Sequence, residues 1–142
     1  MMVRRFKPCF DKMFYIIWIP TTILMALATV ISASSTVGFI ILLATDVFTL
    51  YFLLTSIVGY VELREKTVYI KCGFIISREI PYEKIRGISK ERKVYADSMV
   101  SIKNSLDHVN IKYNRFDIIS VSVVNNDGFI MELEERIKSH NN

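Results

Sequence analysis

Few residues in this chain have the types and spacing that chemistry needs. Its only histidines are His108 and His140, too few and too isolated for a metal cluster, and the two cysteines, Cys9 and Cys72, have no CxxC or Cys/His partners at ligand spacing. No HExxH, GxSxG or GxxxxGK occurs, and no carboxylate pair stands out as acid and base. The expectation is a protein without catalytic residues, metal or cofactor. His108, on the polar face of its strand, reads as a solvated side chain, and Asp107 and Asp117 read as turn or strand-end residues.

Two features remain. The first is Asp46, the single charge inside a long apolar run, where a carboxylate at mid-membrane costs about 2.5–3.5 kcal/mol and demands a partner or a proton. Folding the chain about Ser34 puts position 46 at the depth of position 22, so Thr21 and Thr22 are the expected partners. They form an intramembrane polar site that ties two helices together or, as an alternative, a proton or ion site. The second is the basic group Arg86, Lys90, Arg92 and Lys93, with Lys103 beyond it, diluted by Glu83, Glu91 and Asp97. If it forms an interaction surface, anionic lipid headgroups or a membrane protein partner suit it.

The elements that must position these residues divide the chain. Residues 1–12 form a basic N-terminus, 13–31 a first transmembrane helix, 32–36 a small polar loop, 37–58 a second transmembrane helix, and 59–142 a domain. Each apolar run reaches the roughly 20 residues that a helix needs to cross a ~30 Å hydrocarbon core. Neither shows the polar face of a soluble helix. The first run is long for a signal core and a second span follows at once, which favours retention of both. Phe14, Tyr15 and Trp18 suit an interface, and Pro20 is expected to kink the first span.

Charge sets the expected orientation. The first twelve residues carry Arg4, Arg5, Lys7 and Lys12 against Asp11, and the inter-span loop carries no charge. Both termini and the domain are therefore expected on the cytoplasmic side. There the cysteines stay reduced, and acylation of Cys9 is the less favoured reading. The net charge of +4 is largely accounted for by topology, which argues against a nucleic-acid partner and for the lipid bilayer itself.

From Tyr60 onward the pattern becomes short β-rich runs: 61–63, 67–71, 74–80, 83–91, 99–102, 107–113 and 116–124, with a loop at 92–97. Phe129, Ile130, Leu133 and Ile137 then recur at helical spacing, with Asn126 as the expected N-cap. The predicted fold class is a membrane α-helical hairpin plus an α+β domain of seven antiparallel strands, a β-sandwich or barrel closed by a C-terminal helix.

Seven strands and a capping helix are the layout of pleckstrin-homology folds. The segments Tyr60-Val61-Glu62-Leu63, Val68-Tyr69-Ile70-Lys71-Cys72-Gly73 and Ile80-Pro81-Tyr82-Glu83-Lys84-Ile85 resemble the bacterial PH-like domain of YyaB-like membrane proteins. So does Ser105-Leu106-Asp107-His108, where His108 replaces the family's usual arginine. The resemblance covers about residues 60–137. It implies a PH-like fold on the inner face of a bacterial cell membrane and a neighbourhood that includes sublancin-type bacteriocin self-immunity proteins. Phosphoinositide binding does not carry over, because the loop after Leu63 mixes Arg64 and Lys66 with Glu62 and Glu65 and lacks a basic phosphate clamp. Partner, ligand and oligomeric state are not written in the sequence.

Overall fold

The computed structural model describes residues 2–98 and 101–141. Helix α1 (Lys12–Ile31) and helix α2 (Thr36–Val58) form an antiparallel pair joined by a short 3-10 turn at Ser32–Ser34. Asp11 caps α1 through its side chain, and Ser35 caps α2 by accepting from the Gly38 amide. Both helices are long and apolar enough to cross a membrane, and almost none of their surface is buried within the chain. Helix α1 runs on through Pro20.

The domain holds two four-stranded sheets rather than seven strands in one sandwich. The first has the order β1 (Arg4–Phe6), β2 (Tyr60–Leu63), β3 (Thr67–Cys72), β4 (Ile76–Pro81), all antiparallel. The second has the order β5 (Ile85–Arg92), β7 (Asp107–Tyr113), β8 (Asp117–Val121), β6 (Ser101–Ile102). In it β6 lies parallel to β8. The expected strand at 99–102 begins outside the described residues. The additional strand is β1, taken from the segment that sequence assigns to a basic tail; it pairs Arg4 with Leu63 and Phe6 with Val61. The N-terminus is thus woven into the domain before the chain enters α1.

Alternation explains which faces meet. Val68 and Ile70 of β3, Val109 and Ile111 of β7, and Ile119 and Val121 of β8 all point inward and are buried. Helix α3 (Asn126–Asn141) lays Phe129 and Leu133 on this core, and the Phe129 ring meets that of Phe6 edge-to-face at 5.2 Å. Its cap is Asn125, whose side chain accepts from the Gly128 amide. Asn126 instead accepts from the Val123 amide and donates to the Asp107 carbonyl. Tyr82, in a 3-10 turn between β4 and β5, is buried and donates to the Arg64 carbonyl at 2.6 Å.

Candidate interaction surface, helix junction and the carboxyl between the apolar helices

Asp46 does find a threonine, but a different one. The Thr29 hydroxyl lies 2.7 Å from Asp46 Oδ2, whereas Thr21 and Thr22 donate to carbonyls of their own helix, Ile17 and Trp18. Helical side chains tilt toward the helix N-terminus, and in α2 that direction leads toward the loop, so the carboxyl meets a residue nearer the loop than its Cα depth implies. Thr22 and Thr29, seven residues apart, share one face, and Thr22 lines the small cavity of about 200 Å³ beside Asp46 with Met25, Thr49 and Leu53. The Thr29 hydroxyl also sits 3.1 Å from the Met25 carbonyl. Asp46 Oδ1 is buried without a partner.

The basic residues of β5 and the following loop do not converge on one free surface. Lys90 pairs with Asp127 at the start of α3 at 2.7 Å, and Arg92 lies 4.0 Å from Asp107. Lys93 lies against both Glu91 and Asp97. Its hydrogen bond to Glu91 raises the Lys93 ammonium above its ordinary pKa and lowers the Glu91 carboxyl. Lys103 is turned inward, donating to the Lys93 and Val94 carbonyls at 2.6 and 3.0 Å, and burial lowers its pKa. Arg86 alone of the five is unpaired among the described residues, in a shallow cavity with Ile137 and Lys138.

His108 is not solvated. Alternation assigns the right face of β7, but Asp97 and Leu106 lie against that face and His108 is fully buried. Its Nδ1 lies 3.0 Å from the Leu106 carbonyl, so Nδ1 carries the proton and donates. Asn110 on the same face donates to Asp97 and accepts from Ser120. Glu91, Asp97 and His108 place possible ligand atoms within 4.8 Å of one another. The Lys93 ammonium lies against both carboxylates and offsets one of their two negative charges.

The feature that sequence reading missed is the junction between helices and domain. Asp11 Oδ1 accepts from the Met13 and Phe14 amides while Oδ2 accepts from the Leu106 amide at 2.6 Å. Two residues earlier in the same loop, Asn104 donates to the Ser56 carbonyl of α2 at 2.8 Å. One loop, residues 103–106, therefore holds the domain-side ends of both helices. The available signal was an aspartate directly before an apolar helix, a cap by rule. Burial opposes ionisation of Asp11, but the Leu106, Phe14 and Met13 amides and the Ser105 hydroxyl outweigh it and hold the carboxyl below its usual range.

Asp11→Ala is accordingly expected to cost about 1–2 kcal/mol. Because the folded pKa is depressed, the contribution of Asp11 is present above the ordinary carboxylate range and fades as pH falls through the folded-state value. Denaturation of the detergent-solubilised protein across acid pH checks this: wild type should lose stability there while Asp11→Ala stays flatter.

Among curated proteins and among solved structures, none matches the chain. A family model described as Bacterial PH domain matches residues 59–137, more than half of the chain and the stretch that runs from the end of α2 to the body of α3. With β2 to β8 and most of the closing helix inside this stretch, the match shows that the chain belongs to the bacterial PH domain family.

Proposed function

We propose that this chain is a membrane-anchored, non-catalytic interaction module. Its PH domain is held at the inner face of a bacterial cell membrane by α1 and α2. The observation that carries the reading is the junction. Two unburied apolar helices are fastened to a PH domain at Asp11 and Asn104, and β1 fixes the chain before α1, so the domain sits against the bilayer instead of swinging on a linker. The charge bias of residues 1–12 supports the cytoplasmic orientation. Crosslinking in native membranes followed by partner identification tests it. A defined protein or lipid adduct is expected; recovery of no partner, together with turnover of any substrate by the purified protein, overturns it.

A bacteriocin self-immunity role rests on the family resemblance, the size and the anchor. Expression in a sensitive strain decides it, and unchanged killing across a bacteriocin panel removes it.

The unpartnered Asp46 Oδ1 beside a cavity favours a second reading, an oligomeric proton or ion site. A structural role requires less, since such pathways recruit several polar groups. Asp46→Asn, whose amide can donate to Thr29, is expected to leave hairpin pairing and function intact. Asp46→Leu should weaken pairing by about 0.6–1.7 kcal/mol, read by thermal unfolding in detergent. Loss of function in Asp46→Asn with assembly unchanged would establish the ion site instead.

A further inference from the structure

The β3–β4 hairpin carries its apolar residues where a water-facing turn carries polar ones. Phe74, Ile75 and Ile76 are 48%, 80% and 49% exposed, three large apolar side chains in succession at the tip. Gly73, at φ +79°, makes the turn.

The tip leans on α2, and that contact sets its depth. The Phe74 ring lies 6.1 Å from the ring of Tyr51, and Gly73 approaches Thr55 so closely that a Cβ there would fall 2.1 Å from Thr55 Cγ2. Tyr51 lies seven residues before the end of α2 at Val58, about 10 Å along the axis at 1.5 Å per residue. The 23 residues of α2 measure about 35 Å against a hydrocarbon core of ~30 Å. An upright helix thus has only about 5 Å to spare over both ends. Wherever it is centred, Tyr51 stays within hydrocarbon, and the Phe74 ring, 6.1 Å from it, falls at or inside the hydrocarbon boundary.

Other groups fall at matching depths. Arg78, exposed and two residues beyond Ile76, sits about 6.6 Å further up the strand, near the headgroups, with no ion-pair partner among the described residues. Exposed Val94 borders a cavity with Phe14, Ile17 and Trp18 of α1. The turn after Leu63, by contrast, lies at the far end of β2 from the membrane, and its Arg64 is held by Glu62 and Glu79.

We infer that the β3–β4 hairpin is a membrane wedge: Phe74, Ile75 and Ile76 insert into the leaflet on the domain's side, and Arg78 contacts anionic phospholipid headgroups above them. This rests on the reading of α1 and α2 as spans. The occupant is the bilayer itself, continuous with the lipid around α2. The wedge fixes the domain's orientation as well as its distance and turns the Arg64 end toward the cytoplasm.

Trp18 is the chain's single tryptophan, so Trp18→Phe gives a silent background. Ile75→Trp in that background, reconstituted in phosphatidylcholine and phosphatidylglycerol vesicles with acyl-chain bromines, reports the tip. Ile23→Trp on the exposed face of α1 reports the span. The expected result is blue-shifted emission from position 75 and a quenched fraction close to that at position 23. A quenched span with an unquenched, water-like tip overturns the wedge. So does a blue-shifted but unquenched tip, which would mean that a second copy of the chain covers it. If position 23 is also unquenched, the helices do not enter the bilayer and both readings fall. Replacing phosphatidylglycerol by phosphatidylcholine should lower quenching at position 75 alone, and Arg78→Gln should abolish that lipid dependence. Unchanged quenching in both lipids refutes the headgroup contact.

Discussion

Phe129→Ala is expected to destabilise the domain by about 3–5 kcal/mol, the range for emptying a well-packed aromatic site. Phe129 is fully buried at the centre of the core, and its ring meets that of Phe6 on β1. A small domain has about 5–15 kcal/mol in hand, so at least about a fifth of it goes with one ring. The loss should also spread in a particular way. Phe6 and Phe129 belong to opposite ends of the chain, so releasing α3 should loosen β1 and, through it, the lead-in to α1. Chemical denaturation in mild detergent measures the effect, with the helical signal of α1 and α2 persisting after the domain has melted. A Phe6→Ala, Phe129→Ala double cycle should return a coupling of about 0.5–1.5 kcal/mol from the aromatic pair. A cost under 1 kcal/mol for Phe129→Ala would mean that α3 does not close the core.

That prediction draws on an element that sequence reading located and one that it did not. The 3.6-residue period of Phe129, Leu133 and Ile137 is visible in the chain because one face of α3 is buried and the other is solvated. The alternation of β7 and the turn at Asn114, which adopts φ 52°, are visible for similarly local reasons. Strand β1 is not. It has three residues, Arg-Arg-Phe, too few to show a period, and its two arginines already had an explanation as topology signals. Its role comes from pairing with residues nearly sixty positions away.

The candidate sites were legible in kind and not in pairing. That Asp46 needs a partner or a proton follows from the cost of a lone charge within an apolar helix. That the partner is Thr29 depends on the direction of side chains on two packed helices. His108 lies on the face of β7 that alternation indicates, yet alternation cannot tell a face open to water from one covered, as this one is by Asp97 and Leu106. The basic group around β5 reads as a patch because its neutralising partners, Asp127 and Asp107, lie 37 and 15 residues away in sequence. Local charge density counts cations and misses such pairs.

Gly73→Ala is expected to pry the β3–β4 hairpin off α2. Two costs combine: a side chain held at positive φ, about 1–2 kcal/mol, and a Cβ pressed to 2.1 Å from Thr55 Cγ2 and 3.1 Å from Thr55 Cα. Thr55→Ala removes the first of these contacts and also deletes a buried hydroxyl that has no partner, so alone it should be close to neutral. Combined with Gly73→Ala it should recover part of the loss, the part due to the clash, and leave the backbone cost in place. Cys72 supplies the readout. Burial, partly offset by the nearby Arg78 charge, pushes its thiol up to about 11, so it reacts slowly with maleimide at mildly alkaline pH. In a Cys9→Ser background, Gly73→Ala should speed labelling as the thiol reaches water and its pKa falls back. Adding Thr55→Ala should slow it again. Labelling that is unchanged by Gly73→Ala would show that the hairpin does not depend on close approach to α2.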